Sequence, residues 1–165
     1  MVQRSSQTTR RAAERRVRFR APTKPLYERD MYRWARQQAK LLRAGKLSGL
    51  DVANLAEEIE SLGGRDRREV LSRLRVLIMH LLKWQYQPDK RSESWRQTIR
   101  TQRREIEYLF RQSPSLFRQA ELGLPEVYVD AIGDAVDETK LPKKTFPPLS
   151  PHSLEKVLDI DFLPE

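Results

Sequence analysis

The chain has 165 residues, a formal net charge of +9, 38% hydrophobic and 33% charged residues, six glycines and no cysteine. That length suits one domain better than two, and the lack of cysteine excludes disulfides and thiolate metal sites and makes the cytoplasm the expected compartment. No apolar run approaches the roughly 20 residues of a membrane-spanning helix, and the arginine-bearing N-terminus lacks the apolar stretch of a secretory signal, so no membrane partner is expected.

The charge is unevenly spread. Residues 1–25 hold eight basic side chains and one acid, whereas residues 26–165 hold 24 basic and 22 acidic. Within the remainder, residues 65–118 carry 14 basic and six acidic groups, and residues 119–165 carry four and ten. The first 25 residues offer little apolar surface beyond Val17 and Phe19. They are read as a disordered basic arm, because burial cannot offset the entropy of ordering and the arginines repel one another. Arg10, Arg11, Arg15, Arg16, Arg18 and Arg20 are candidate phosphate-binding residues. A solubilising extension would show the same composition.

A first helix is expected from about Leu26 to Ala44, with Tyr27, Met31, Trp34 and Leu41 on one face and Gly45 as its stop. Asp51 is a candidate cap for a short second helix through Leu62, inward at Leu55, Ile59 and Leu62 and ended by Gly63-Gly64. A third helix runs from near Arg65 to about Gln87 and stops at Pro88, with Val70, Leu74, Leu77, Ile78, Leu81 and Trp84 on its apolar face. Ser92 or Ser94 caps a fourth, which reaches about Gln112 and turns Trp95, Ile99, Ile106, Leu109 and Phe110 inward. After the Ser113-Pro114-Ser115 break, with Ser115 as a fresh cap, a helical region covers about Leu116 to Glu138 and is expected to bend at Gly123-Leu124-Pro125. Leu141 to Leu149 is irregular, and Ser150-Pro151 begins a last short helix holding Leu154, Val157 and Leu158. No strand periodicity is evident. The fold class is therefore all-α: a compact helical bundle built on an antiparallel pair of long helices with shorter helices packed around it, residues 26–165 forming a single helical domain.

Polar groups fall where the helices should meet. At about 100° per residue, Gln85 lies some 20° from Leu74, and Gln102 about 20° from Trp95, each inside an apolar stripe. A buried amide without a partner costs about 1–3 kcal/mol, so each must be paired or wet. Candidate companions are Glu57, Glu58 and Glu60 on the second helix, His80, Lys83 and Trp84 on the third, and Trp95 and Arg103 on the fourth. This polar seam reads as a structural network that fixes helix register, or alternatively as a small-molecule, metal or enzymatic pocket around Glu60, His80 and Gln85. No catalytic residue is assigned: there are two histidines, no Glu-x-x-His, no His-Glu-x-x-His and no glycine-rich phosphate loop, so neither a metal nor a cofactor is expected. A basic face is the stronger functional signal. Arg100, Arg104 and Arg111 lie on the side of the fourth helix away from Trp95 and, with Lys83 and the arm, form a candidate phosphate-binding surface for nucleic acid or an acidic protein.

Several separated motifs occur in order: Tyr27-Glu28-x-Asp30-x-Tyr32-x-Trp34, Asn54-Leu55-Ala56-Glu57-Glu58-Ile59-Glu60-Ser61-Leu62-Gly63, His80 through Pro88, Ser94-Trp95-x-x-Thr98-Ile99, Ser113-Pro114-Ser115-Leu116 and Leu158-Asp159-x-Asp161-Phe162. Together they resemble the bacterial family called domain of unknown function 29, over about Leu26 to Glu165. The resemblance implies a compact all-helical bacterial protein and supplies no activity. Gly123-Leu124-Pro125 departs from the pattern of that family. The combined expectation is a non-enzymatic interaction module of the bacterial cytoplasm.

Overall fold

A computed structural model describes residues 24–165, which fall into two compact units dividing between Asn54 and Leu55. Most of the basic arm lies outside the described residues. Among the described residues there is no strand, and the fold is all-α: α1 (Leu26–Arg29), α2 (Met31–Arg43), α3 (Val52–Tyr86), α4 (Glu93–Gln112), α5 (Leu116–Thr139) and α6 (Leu154–Leu158), with short 3-10 turns between.

In the first unit, the single expected helix over residues 26–44 is two. Asp30 adopts φ −154°, outside helical geometry, and its carboxylate accepts the backbone N–H of Arg33 at 2.9 Å, so it caps a new helix instead of continuing the old one. Tyr27 and buried Trp34 meet edge to face with centroids 4.9 Å apart. Gly45 ends the run at φ +66°, the left-handed conformation that suits a residue without a Cβ.

In the second unit, the expected short and long helices are one. Gly63 and Gly64 stay helical inside the 35-residue α3. Glycine costs about 1 kcal/mol in a helix interior, but ending the helix would orphan terminal backbone groups, and neither glycine forces a stop as proline does. Pro88 follows Tyr86 closely and does end α3. The chain then turns back into α4, where Ser92 rather than Ser94 caps by accepting the Trp95 N–H at 3.3 Å.

α3 and α4 run antiparallel. Arg73 reaches Glu105 at 3.7 Å, and further along α3 the Lys83 ammonium lies 4.5 Å from the ring centroid of Trp95, which comes earlier in α4. α5 lies alongside α3 in parallel, making a third long helix. The order of contacts shows this: Arg75 forks onto Asp134 with two bonds of 2.5 Å, Lys83 pairs with Glu138, and Gln87 donates to the Thr139 carbonyl at 3.4 Å. The face α5 turns inward alternates small residues, Ala120, Gly123, Ala131 and Ala135, with larger ones, Val127, Tyr128 and Ile132. A Cβ on Gly123 would come within 2.8 Å of Leu71 Cδ2, so this glycine permits the approach of the two helices. The expected bend at Gly123-Leu124-Pro125 does not divide α5, whose helix is continuous with Pro125 inside it on the exposed side. There a carbonyl that lacks an N–H partner can turn to water.

The core sits between these three helices, where Val70, Leu74, Leu77, Ile99, Ile106, Ala131 and Ala135 are at most 1% exposed. Each large side chain so buried contributes about 1.5–3 kcal/mol. Two further expectations are corrected. Ser115 makes no side-chain cap, and α6 begins after Ser153, which accepts the Lys156 N–H at 3.4 Å, rather than at Ser150-Pro151.

α5 closes with Lys140 at φ +61°, its N–H donating to the Val136 carbonyl at 2.9 Å. A side chain in this region is strained by roughly 1 kcal/mol relative to glycine. Lys140→Gly is therefore expected to raise the thermal midpoint by a few degrees, measured by circular dichroism.

Candidate functional site

The corner between α3 and α4 brings together two of the motifs, His80 to Pro88 and Ser94 to Ile99. Trp84, 6% exposed, has the guanidinium of Arg91 at 5.1 Å and that of Arg96 at 5.3 Å from its ring centroid, and its carbonyl accepts from Arg91 Nε at 2.8 Å. Such cation–aromatic contacts are worth about 0.5–2 kcal/mol each. Trp95 is half-buried and receives Lys83 in the same manner. The sequence places Lys83 on a basic face. It is instead buried, with its ammonium bonded to Glu138 of α5 and its stem packed in the core. The neighbouring α5 puts this residue inside, and a charge there needs the carboxylate beside it.

His80 is half-buried on the same helix, and its Nδ1 lies 2.9 Å from the Val76 carbonyl oxygen, which makes Nδ1 the protonated, donating nitrogen. Burial lowers its pKa, Lys83 adds to that, and the carbonyl and Glu138 oppose it. The imidazole is therefore neutral at pH 7.

Gln85 is half-buried and lines a cavity of about 20 Å³ with Tyr128, Ser150 and His152. That volume suits one water molecule and is far below a ligand site. The Tyr128 hydroxyl is buried there without a hydrogen-bond partner among the described residues, and desolvation pushes its pKa up to about 12. Gln102 is half-buried on α4.

Arg103 leaves the seam for another task. Only 3% exposed, it donates from Nε to the Val157 carbonyl at 3.0 Å, from Nη1 to Ile160 at 3.3 Å and from Nη2 to Phe162 at 2.7 Å. One guanidinium thus clamps the C-terminal segment to α4. Burial lowers its pKa, while Asp159 and Asp161 work in the opposite direction.

Glu57, Glu58 and Glu60 do not join this group. Glu57 and Glu60 are exposed and Glu58 is half-buried, all near the start of α3. Glu60 and His80 are separated by twenty residues of one helix, about 30 Å, so the seam from Glu60 to His80 does not close into a pocket. Two separate helices could fold back and bring these residues together, and the uninterrupted passage through Gly63-Gly64 removes that possibility.

Arg100, Arg104 and Arg111 are all exposed on α4. Arg111 lies 3.7 Å from Glu107, whereas among the described residues neither Arg100 nor Arg104 is held in an ion pair. Arg100 also borders a cleft of about 130 Å³ with Arg96, Arg103 and Asp161. Arg10, Arg11, Arg15, Arg16, Arg18 and Arg20 lie outside the described residues.

Sequence reasoning misses a polar knot in the first unit. The Trp34 indole N–H donates to Asp51 Oδ2 at 3.0 Å, Asn54 Nδ2 donates to the same oxygen at 2.8 Å, and the Asp51 N–H donates to buried Gln38 Oε1 at 2.8 Å. Bonds from Asn54 and then Trp34 hold the Asp51 carboxyl below its ordinary range. The signal is present in the sequence: a core tryptophan needs a partner for its N–H, and the expected helix cap supplies one.

The family model described as Domain of unknown function DUF29 matches residues 26–163. The chain belongs to that family. Neither a curated protein nor a solved structure matches it. The DUF29 match covers both units but not the basic arm. Among the described residues no helix is long and apolar enough to cross a membrane, and no group of three or more His, Cys, Asp or Glu side chains is placed to hold a metal ion.

Two substitutions separate burial from charge. Lys83→Met keeps the packed stem and frees Glu138, which is 48% exposed, to water, so unfolding free energy should change by less than about 1 kcal/mol in urea titrations. Lys83→Ala also removes the stem and should cost about 2–3 kcal/mol. Arg103→Lys cannot serve three carbonyls with the same fork geometry, and hydrogen exchange should show loss of protection over residues 157–163 with the α3–α5 core intact.

Proposed function

We propose that the protein is a non-enzymatic interaction module of the bacterial cytoplasm. It holds a polyanion on the arginine-bearing side of α4, a nucleic-acid backbone in preference to an acidic protein. The observation that carries this reading is the pair Arg100 and Arg104, both exposed, one turn apart and held in no ion pair among the described residues. Guanidinium groups at about 6 Å spacing along a helix suit successive oxyanions, and Arg is the side chain best shaped for phosphate. The cleft of about 130 Å³ beside Arg100 gives one such group a partly enclosed seat near Arg96 and Arg103. The basic arm supplies further positive charge from its arginines, Arg10 to Arg20. No base-reading motif accompanies these residues, so the contact is to the backbone and independent of sequence.

The rival reading, a ligand or metal pocket around Glu60, His80 and Gln85, has little geometric support, since Glu60 is remote and the cavity at Gln85 is water-sized.

Fluorescence anisotropy with mixed-sequence duplex DNA tests the proposal. Arg100→Glu combined with Arg104→Glu should weaken binding at least tenfold and reduce the salt slope by about two. Removing residues 1–25 should weaken it further. Affinity that persists in several hundred millimolar salt, or that ignores the α4 substitutions, would refute the reading. Equal binding to poly-glutamate would move it towards an acidic protein.

A further inference from the structure

The first half of α3 carries an apolar stripe into solvent. Ile59 and Leu62 are 66% and 56% exposed, yet they fall within about 80° of Val70 on the helix, the direction that becomes core one to three turns later. We propose that this stretch is an interface between two copies of the chain, in which the segments 57–70 pair antiparallel about a two-fold axis near Gly63 and Gly64.

Charge complementarity selects a second copy as the occupant. Glu60 and Arg67 lie on one flank of the stripe, about 20° apart. A two-fold axis perpendicular to the helices sets each flank against the same flank of the second copy. Glu60 then faces Arg67 of the other chain, and the reciprocal pair forms by symmetry, as an isologous contact requires. A parallel pairing would set this flank against the opposite one, with Glu60 near Glu58 and Arg67 near Arg65 of the second copy. Glu60 and Arg67 are thus self-complementary in the antiparallel orientation.

The glycines fit the same picture. A Cβ at Gly63 would meet nothing within 4 Å in the single chain, so packing within that chain does not demand a glycine there, although its presence costs helix stability. At a crossing point it lets two backbones approach. Asp66 falls within the stripe and would lie near Leu62 of the second copy. One polar residue at such a position sets register while lowering affinity. The paired segment is about 21 Å long at 1.5 Å per residue, a short contact whose association is concentration-dependent.

The full-length chain should pass from monomer to dimer between about 1 and 100 µM in sedimentation equilibrium, and a monomer throughout that range would overturn the proposal. Glu60→Lys and Arg67→Glu, both at exposed positions, should each weaken self-association at least tenfold with unchanged far-UV circular dichroism. Mixing those two variants should restore a dimer. The lysine introduced at position 60 of one chain then faces the glutamate introduced at position 67 of the other, while the native Arg67 and Glu60 form the second pair. Failure to restore the dimer would refute the pairing. The chain has no native cysteine, so orientation can be read directly. Gly63→Cys should cross-link under oxidation and Asp66→Cys should not, whereas cross-linking at both positions would mean parallel helices and sink the model of opposed charge.

Discussion

The larger unit depends on one constraint: the side of α3 between Val70 and Trp84 must leave water in two directions. A stripe of that breadth is wider than a single neighbouring helix can cover. α4 covers part of it by folding back at Pro88, and α5 covers the rest by running alongside with Ala131 and Ala135 next to Tyr128 and Ile132 on its buried face. The ion pairs Arg75–Asp134 and Lys83–Glu138 then fix the register of α5 against α3. They are partly solvated, so their contribution lies more in geometry than in net stability.

The cationic residues of α4 and the corner have three different fates, set by how far each is from water. Arg103 is enclosed and finds three carbonyls that would otherwise be unsatisfied, which makes it a clamp on the C-terminal segment. Arg91 and Arg96 lie on the faces of Trp84, where a weakly hydrated guanidinium can shed water at small cost. Arg100 and Arg104 remain in solvent with their donors uncommitted among the described residues. The same side-chain type is therefore structural at one position and available for a partner one residue away. At the corner, Lys83 lies over Trp95, and Arg91 and Arg96 lie over Trp84.

Particular elements show where reading residues in order succeeds. Asp51, Gly45, Pro88 and Ser92 act through local chemistry, as a cap, a left-handed residue, a missing donor and a cap, and each does so in the structure as expected. Asp30, Gly63-Gly64 and Pro125 go the other way. Asp30 interrupts a helix because its side chain captures an N–H, an option that helical periodicity does not reveal. The glycine pair and the proline carry breaking signals whose cost is smaller than that of dividing a long helix. A stop at Gly63-Gly64 would also allow Glu60 to approach His80, since two short helices could bring them together and one long helix cannot.

The sequence by itself determined the all-α class, the antiparallel turn at Pro88, the inward stripes of α3 and α4 and the exposed arginines of α4, because each follows from periodicity or from the backbone limits of a single residue type. Only the tertiary structure decided that Lys83 and Arg103 are enclosed, that α5 is a third long helix parallel to α3, and that Gln85 borders a water-sized cavity with Tyr128. Those outcomes depend on which other helix fills the space beside a residue. Burial of a charge or an amide is set by distant segments such as residues 134–139 and 157–162, and spacing along one helix carries no information about them.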